Sequence, residues 1–233
     1  MTTRHDTTAT LPWMRAGTTH LLAVVEKLSD DELTAPSTLP GWTRAHVIGH
    51  VARNAEALGR LTAWARTGVE TPMYADPAQR AAEIEESAGR PPSTLRAELA
   101  ATAADLDDAL SGLTGDQWRA GVRSALGRAI PAAELPWMRI REVWLHAVDL
   151  GTGASVEDLP AGVVDLLLDD VTGALSGKDG CPALTLAPDD RDRTWTLGVG
   201  EATHRESGPA AGLAGWLTGR LAAGERPALP RWL

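Results

Sequence analysis

The segment from Leu135 to Leu150 most restricts the possible fold, because it is apolar on nearly every side of a predicted helix. A helix without a broad polar face has to be covered by other elements of the protein. The same segment carries Glu142 and His146, which are four residues apart and therefore lie on one face, one turn from each other. A carboxylate in such surroundings requires a hydrogen-bonding partner or a metal ion.

Three more segments have the length and pattern of long helices. They span about residues 11–28, 42–65 and 93–110. Ser93 or Thr94 is expected to cap the third of them. Loops rich in Pro and Gly separate these segments, and a short acidic helix is expected around residues 83–86. Four long helices with loops between them predict a four-helix bundle.

The pattern changes after Gly151 and Gly153. The elements expected there are a helix at about 162–175, strands at 183–187 and 194–199, a third strand from His204, and a closing helix at about 209–223. This order is typical of a small α+β unit. We therefore expect a mainly α protein with two domains, residues 1–152 and residues 153–233.

His50 lies in the second predicted helix, on a face that is otherwise mostly apolar. If this helix packs beside the one that carries Glu142 and His146, two imidazoles and one carboxylate converge. That set is typical of a catalytic zinc ion with an open fourth position, which can bind and ionise a thiol or a water molecule. The spacing alone is weak evidence for a metal, because it also fits a buried Glu–His hydrogen bond and an unrelated core histidine.

His46 and Asn54, each four residues from His50 on the same predicted helix, allow two interpretations each. His46 precedes His50 by four residues, so the two could form a ligand pair by themselves, but its place near the helix start favours a capping or solvated role. Asn54, the single asparagine of the chain, follows His50 by four residues. It is either a solvated amide or a group whose hydrogen bond orients a metal ligand.

Two residues of the second domain carry functional groups. Cys181, the single cysteine, lies between Gly180 and Pro182 without a histidine nearby in the sequence, which disfavours a role as nucleophile. Arg220 ends the segment that begins at Trp216. Its guanidinium is either a solvated group at a helix end or a two-pronged clamp for a substrate carboxylate.

Composition and sequence pattern disfavour several classes of function. The net charge of −9 disfavours binding to nucleic acid or to an anionic membrane surface. No apolar run approaches the roughly 18 residues of a membrane span, and the first residues do not resemble a signal peptide. A single cysteine fits a reducing compartment, so we expect a cytoplasmic protein. The oligomeric state is left open, and a monomer is compatible with the sequence.

The chain resembles the mycothiol-dependent maleylpyruvate isomerase family over nearly its whole length. The segments that carry the resemblance are residues 40–55, 141–150 and 216–220. The family fold consists of a DinB-like four-helix N-terminal domain, which holds a divalent metal that is usually zinc, and a smaller C-terminal domain similar to sterol-carrier folds. The resemblance implies that His50, Glu142 and His146 are the metal ligands and that Arg220 is a functional arginine.

The resemblance also implies a reaction. In this family the metal-bound thiol is mycothiol, a low-molecular-weight cofactor, and the substrate is maleylpyruvate, a small dianion. The thiolate adds to the activated cis double bond, the resulting single bond rotates, and elimination of the thiol leaves the trans isomer, fumarylpyruvate, on the gentisate route of aromatic degradation. The second domain is then expected to complete the active-site cleft, with Arg220 binding an anionic group.

Two alternatives remain open at this point. A mycothiol S-transferase would use the same metal-bound thiolate on another electrophile and keep the thioether as its product. A non-enzymatic protein would bind an apolar ligand in the second domain and use the metal only structurally, in which case a fourth protein ligand is expected at the metal.

Overall fold

Four long helices form the framework of the first unit in the computed structural model, which describes residues 2–202 and 204–232. This unit ends at Ala154, and a second unit begins at Ser155. The elements of the first unit are α1 (Thr7–Glu26), α2 (Asp30–Leu33), α3 (Arg44–Thr67), α4 (Pro77–Ala88), α5 (Pro92–Ser111), α6 (Gly115–Arg119), β1 (Gly121–Arg123), β2 (Ala129–Pro131) and α7 (Leu135–Asp149).

The long helices α1, α3, α5 and α7 form the predicted bundle. Helices α1 and α3 each pack against both α5 and α7, and the short helix α4 packs on α3. The apolar residues of α7, among them Leu135, Ile140 and Val143, are fully buried, as the pattern of that segment predicts. Helices α1 and α7 approach closely at Gly17, where an added Cβ would lie 2.5 Å from Nε1 of Trp144.

The ends of the helices depend on capping groups. Helix α1 begins four residues earlier than the sequence pattern predicts, because the Asp6 side chain accepts a hydrogen bond from the backbone of Thr8. Pro12 is tolerated inside α1 on its exposed side. Helix α3 begins after a capping box between Thr43 and His46, and the left-handed residue Gly68 ends it.

Two expectations for the segment between α4 and α7 were incomplete or wrong. Neither Ser93 nor Thr94 caps α5, because the helix already begins at Pro92 without a side-chain cap. Proline suits the first helical position, where its missing N–H would have no partner in any case. The Gly-rich region before α7 contains the short helix α6 and the antiparallel hairpin of β1 and β2. Strands of three residues are too short to show a clear alternation.

The second unit is the predicted small α+β arrangement. Its elements are α8 (Ala161–Ser176), β3 (Leu184–Pro188), β4 (Trp195–Leu197), β5 (His204–Gly208) and α9 (Ala210–Leu217). The strand order is β4-β3-β5, with β3 antiparallel to β4 and parallel to β5. Buried side chains of α8 and α9 pack together, and α9 also contacts β3 and β5.

Helix α9 is shorter than the sequence pattern predicts, because it ends at Leu217 and not near Ala223. Gly219 adopts a left-handed conformation with φ of 76°. Its N–H donates to the carbonyl of Trp216, and the N–H of Arg220 donates to the carbonyl of Gly215. This pair of bonds is a Schellman motif, which ends a helix and fixes the backbone of the residue after the glycine.

None of the helices in the described part of the chain is long and apolar enough to cross a membrane.

Candidate metal centre

Helices α3 and α7 bring His50, Glu142 and His146 to one point. Oε2 of Glu142 lies 2.9 Å from Nε2 of His50 and 3.2 Å from Nε2 of His146. The ligand atoms of the three side chains all lie within 4.8 Å of one another. The rings of His50 and His146 meet edge to face, with their centroids 4.8 Å apart. The structure therefore joins the three residues that the sequence analysis selected.

Burial and mutual contact set the charge of this cluster. Burial lowers the pKa of His50, and the hydrogen bond to Glu142 only partly offsets this effect. Burial opposes ionisation of Glu142, but hydrogen bonds from His146 and His50 outweigh it and hold the pKa of the carboxyl well below its ordinary value. Glu142 is thus an anion at neutral pH, and the two ring nitrogens beside it belong to a side chain that commonly coordinates metals.

The donor set fits a divalent metal. In a tetrahedral zinc site with bonds of about 2.0–2.2 Å, neighbouring ligand atoms lie about 3.3–3.6 Å apart. The two nitrogen–oxygen distances, 2.9 and 3.2 Å, are close to that spacing. Two imidazoles and one carboxylate suit zinc and similar divalent ions. Among the described residues 2–202 and 204–232, one group of His, Cys, Asp and Glu side chains has a geometry that could hold a metal, and it is this one.

Asp149 supports the cluster from the end of α7. Its Oδ2 lies 2.9 Å from Nδ1 of His146. Burial would lower the pKa of His146, but this hydrogen bond and the one to Glu142 raise it. Thr38 holds the other side of Asp149, since its N–H and its hydroxyl both donate to the Asp149 carbonyl, at 2.9 and 3.1 Å. The carboxylate thereby orients the His146 ring with Nε2 facing Glu142.

Further side chains line the cluster on the side of His50. Nη2 of Arg80, in α4, lies 3.4 Å from Nδ1 of His50. Tyr74 precedes α4, and burial raises the pKa of its phenol while the charges of Arg80 and Glu142 also act on it. The Trp42 ring meets the His50 ring edge to face at a centroid distance of 5.4 Å.

Arg139 is a buried cation on α7, one turn before Glu142. It is fully buried, and its Nη1 donates to the carbonyl of Val51 and to Oδ1 of Asn54, at 2.7 and 2.9 Å. Burial lowers its pKa to about 10, so it stays charged at neutral pH. Asn54 is therefore a buried partner of Arg139. The interpretation of Asn54 as a solvated amide is wrong. Its Oδ1 accepts a hydrogen bond from Arg139, which is not one of the proposed metal ligands.

The remaining candidates from the sequence lie elsewhere. His46 belongs to the capping box of α3, where its Nδ1 lies 2.7 Å from the Thr43 hydroxyl and its Nε2 3.3 Å from Glu85, as its position near the helix start predicts. Cys181 lies in a loop before β3, and burial raises the pKa of its thiol. Arg220 follows α9, and its Nη1 donates to the carbonyl of Thr218.

Sequence reasoning did not single out four residues around the cluster. Asp149 carried a local signal, since it lies three residues after His146 and hence on a neighbouring face of the same helix. Tyr74, Arg80 and Arg139 carried none of comparable strength, because their proximity to the cluster depends on how the helices pack.

Comparison with known proteins relates this architecture to one family. A model of the mycothiol maleylpyruvate isomerase N-terminal domain matches residues 14–151, which is more than half of the chain. The chain belongs to the mycothiol maleylpyruvate isomerase family. Two crystal structures of the mycothiol-dependent maleylpyruvate isomerase, one of them a histidine-to-alanine variant, resemble it with 38% and 37% sequence identity. Both matches cover 100% of each chain with a TM-score of 0.92.

A third structure shares the fold more distantly. YfiT from Bacillus subtilis, described as a probable metal-dependent hydrolase with an unusual four-helix bundle topology, is 19% identical. The match has a TM-score of 0.54 and covers 65% of this chain and 87% of that one. None of the curated proteins compared with the chain matches it significantly. The predicted fold class is confirmed: this member of the maleylpyruvate isomerase family is mainly α, with a DinB-like four-helix bundle and a small sheet.

Proposed function

We propose that this chain catalyses the mycothiol-dependent cis–trans isomerisation of maleylpyruvate to fumarylpyruvate. The observation that carries the proposal is the convergence of His50, Glu142 and His146 in a chain that resembles two maleylpyruvate isomerase structures from end to end. Three protein ligands are typical of catalytic zinc sites, which keep a position for water or substrate. We therefore assign the cluster as the site of a catalytic divalent metal, with zinc as the expected ion.

Each residue of the cluster has a defined task in this proposal. His50 and His146 supply ring nitrogens, and the ionised Glu142 supplies an oxygen. Asp149 accepts a hydrogen bond from Nδ1 of His146, which leaves the lone pair of Nε2 for the metal. When bound, a divalent metal with an open position lowers the pKa of a coordinated thiol, so that mycothiol is a thiolate at neutral pH.

An anionic substrate requires positive charge close to the cluster. The chain carries a net charge of −9, which repels a dianion at long range. Arg139 is a buried cation close to Glu142, and it offsets part of that repulsion at the cluster. We propose that Arg220 binds an anionic group of the substrate or of the thiol cofactor, because a guanidinium fork matches a carboxylate.

The metal assignment is tested by substitution and metal analysis. His50→Ala, Glu142→Ala and His146→Ala are each expected to lose the metal that the purified chain carries, because two ligands do not hold a divalent ion tightly. His46→Ala is the matched control, since His46 lies one turn before His50 on α3 but faces Thr43 and Glu85. Full metal occupancy in all three ligand variants contradicts the assignment.

The reaction is tested with maleylpyruvate and added thiol. Turnover is expected only with mycothiol, and Cys181→Ser is expected to retain it, because burial raises the pKa of the Cys181 thiol and disfavours its thiolate. A folded but inactive Cys181→Ser variant would make the nucleophile the protein's own. Product analysis separates the S-transferase, which accumulates a thioether, from the isomerase, which returns free thiol with fumarylpyruvate.

A further inference from the structure

Arg139 is a fully buried arginine whose hydrogen bonds go to neutral groups. The residue is 1% exposed, and its Nη1 donates to the backbone carbonyl of Val51 at 2.7 Å and to Oδ1 of Asn54 at 2.9 Å. Burial of a cation against neutral acceptors costs free energy, and an apolar side chain of similar volume fills the same space without that cost. An arginine at this position therefore indicates a task other than filling the core.

The bonds of Arg139 connect the two helices that carry the proposed metal ligands. Arg139 lies on α7, three residues before Glu142, and Val51 and Asn54 lie on α3, one and four residues after His50. The connection is thus about one helical turn away from the contact between Nε2 of His50 and Oε2 of Glu142, which are 2.9 Å apart. Helices α3 and α7 are therefore joined at the ligands and again one turn beyond them.

A second arginine joins the same helices on the other side of the cluster. Arg44, the first residue of α3, donates from Nε to the carbonyl of Leu150, directly after α7, at 2.9 Å. The contacts between the antiparallel helices follow one register, in the order Arg44 with Leu150, His50 with Glu142, and Asn54 with Arg139. The cluster thus lies between two hydrogen bonds that each run from a guanidinium of one helix to a carbonyl of the other.

We propose that Arg139 is a positioning residue of the metal site: its bonds to Val51 and Asn54 hold α3 against α7 in the register that joins the proposed ligands. The proposal rests on the proposed function, because it assumes a metal at the cluster. A metal site tolerates deviations of only about 0.2 Å in its ligand distances. The ligands come from two helices, so the offset between these helices has to be accurate. A bond to a backbone carbonyl fixes that offset, because the carbonyl moves only with its helix.

Arg139→Lys tests the proposal without a change of charge. An ammonium group keeps the positive charge but cannot reproduce the planar fork, so one of the two bonds to α3 is lost or lengthened. Zinc affinity is expected to fall about tenfold, the lower end of the effect of groups that support metal ligands. The ligands themselves are unchanged in this variant, so the loss reports their position.

A double variant separates positioning from stability. Arg139→Met combined with Asn54→Leu replaces both side chains of the polar contact by apolar ones of similar size, a change that is often neutral or stabilising. We expect its free energy of unfolding, measured with excess chelator so that metal binding makes no contribution, to equal or exceed that of the wild type. Zinc affinity is still expected to fall about tenfold. Loss of a nearby cation by itself favours a dication, so the fall is opposite in sign to the electrostatic effect.

Two measurements on the full-length chain are needed besides stability. Competition with a chelator gives the zinc affinity, and the visible spectrum of the cobalt-loaded protein reports the coordination geometry. Arg96→Lys is the matched control, since Arg96 of α5 also donates to a backbone carbonyl, that of Leu28 after α1, at 2.7 Å. Helices α1 and α5 carry none of the proposed ligands, so the control is expected to keep the zinc affinity and the cobalt spectrum of the wild type.

The outcomes separate the proposal from a structural role and from the proposed reaction. Weaker zinc binding in both Arg139 variants, a changed cobalt spectrum in Arg139→Lys and a stable double variant support the proposal. Wild-type zinc affinity in Arg139→Lys or in the folded double variant overturns it. If the double variant loses stability, the cobalt spectrum of Arg139→Lys decides, because a merely structural role leaves the coordination geometry unchanged.

The wild-type chain distinguishes failure of this proposal from failure of the proposed function. A wild-type chain that binds no zinc overturns the role of Arg139 together with the metal assignment. If the wild type binds zinc and the variants shift as expected, but the wild type does not turn over maleylpyruvate with mycothiol, the proposed reaction is wrong and the role of Arg139 stands.

Discussion

Nδ1 of His146 lies 2.9 Å from Oδ2 of Asp149, one turn further along α7. A carboxylate behind a histidine fixes the tautomer of the ring and raises the basicity of the nitrogen on the other side. Asp149 is itself almost completely buried and is held through its carbonyl by Thr38. The His146 ring is therefore held with Nε2 facing Glu142, which reduces the cost of ordering the site.

Asp149→Asn tests that orientation. The amide keeps the size of the side chain but removes the charge, so the His146 ring is held less firmly and its lone pair is less basic. We expect metal affinity to fall by about 10- to 100-fold while the fold persists. Chelator competition measures the change, and Asp116→Asn is the control, because Asp116 is an exposed residue of α6. Equal metal affinity in the two variants would show that Asp149 is only a structural group.

The spacing between α1 and α7 depends on the missing side chain of Gly17. A Cβ at this position would lie 2.5 Å from Nε1 of Trp144 and 2.6 Å from Cγ2 of Val143, so the helices would have to move apart. Gly17→Ala is expected to lower the free energy of unfolding by about 1–3 kcal/mol.

The control for Gly17 is another helical glycine. Gly59, on α3, has open space where a Cβ would lie. Gly59→Ala is expected to be neutral or to stabilise by up to about 1 kcal/mol, because alanine loses less backbone freedom on folding. Urea denaturation of both variants measures the difference, and equal stabilities would mean that the bundle absorbs the extra methyl group at Gly17 without cost.

Glu134 makes stability depend on pH. It is almost completely buried before α7 and is contacted by Arg128, by His5 at 3.0 Å and by Arg4 at 3.7 Å. Burial favours the neutral acid, but these contacts outweigh it and hold the pKa of Glu134 below the ordinary 4.5. The folded-state pKa is thus depressed, so the stabilisation is present above the unfolded-state pKa and is lost as the pH falls through the folded-state value.

Glu134→Gln should therefore destabilise the chain near neutral pH, by about 1–3 kcal/mol. The difference in the free energy of unfolding between the variant and the wild type should narrow at acid pH, below the ordinary carboxyl pKa of 4.5, as the wild-type carboxyl takes up its proton. Denaturation at both pH values measures this, with Glu70→Gln in an exposed connector as the control. If the difference in the free energy of unfolding between the variant and the wild type were the same at both pH values, the contacts of Glu134 would not depend on its charge.

The sequence predicted the cluster of His50, Glu142 and His146 because its strongest signal is local. Glu142 and His146 lie four residues apart on a helix that is otherwise apolar, and a buried carboxylate needs a partner wherever its helix packs. Their proximity to His50 followed only from the assumption that α3 and α7 are neighbours. The resemblance to a known family supported that assumption, and the structure brings the three side chains together.

Other parts depended on information that local patterns do not contain. Arg80 approaches His50 because α4 packs on α3, which the periodicity of α4 alone does not encode. The sequence did not predict the hairpin of β1 and β2, because three residues are too few to show the alternation of apolar and polar residues that indicates a strand. The end of α9 depends on the left-handed conformation of Gly219, and glycine occurs at many positions in this chain.

Arg220 is the residue of the second unit for which we propose a catalytic role. The Schellman motif at the end of α9 fixes its backbone, since its N–H donates to the carbonyl of Gly215 at 2.8 Å. The bond from Nη1 to the Thr218 carbonyl further limits the side chain. A bond to a carbonyl at the end of the helix is also what an arginine at a helix C-terminus ordinarily makes, so this contact fits both interpretations of Arg220, and substitution separates them.

Arg220→Ala is expected to keep its metal and its fold but to lose most of its turnover of maleylpyruvate, with a loss of about 2–5 kcal/mol if the charge pair is desolvated. Arg220→Lys should recover only part of the activity, because an ammonium group cannot form the two parallel hydrogen bonds of the fork. Steady-state kinetics and metal content of both variants decide the matter. Arg205→Ala is the control, since Arg205 is an exposed residue of β5 in the same unit. Normal turnover in Arg220→Ala would remove the catalytic role proposed for the second unit and would favour a separate ligand-binding function for it.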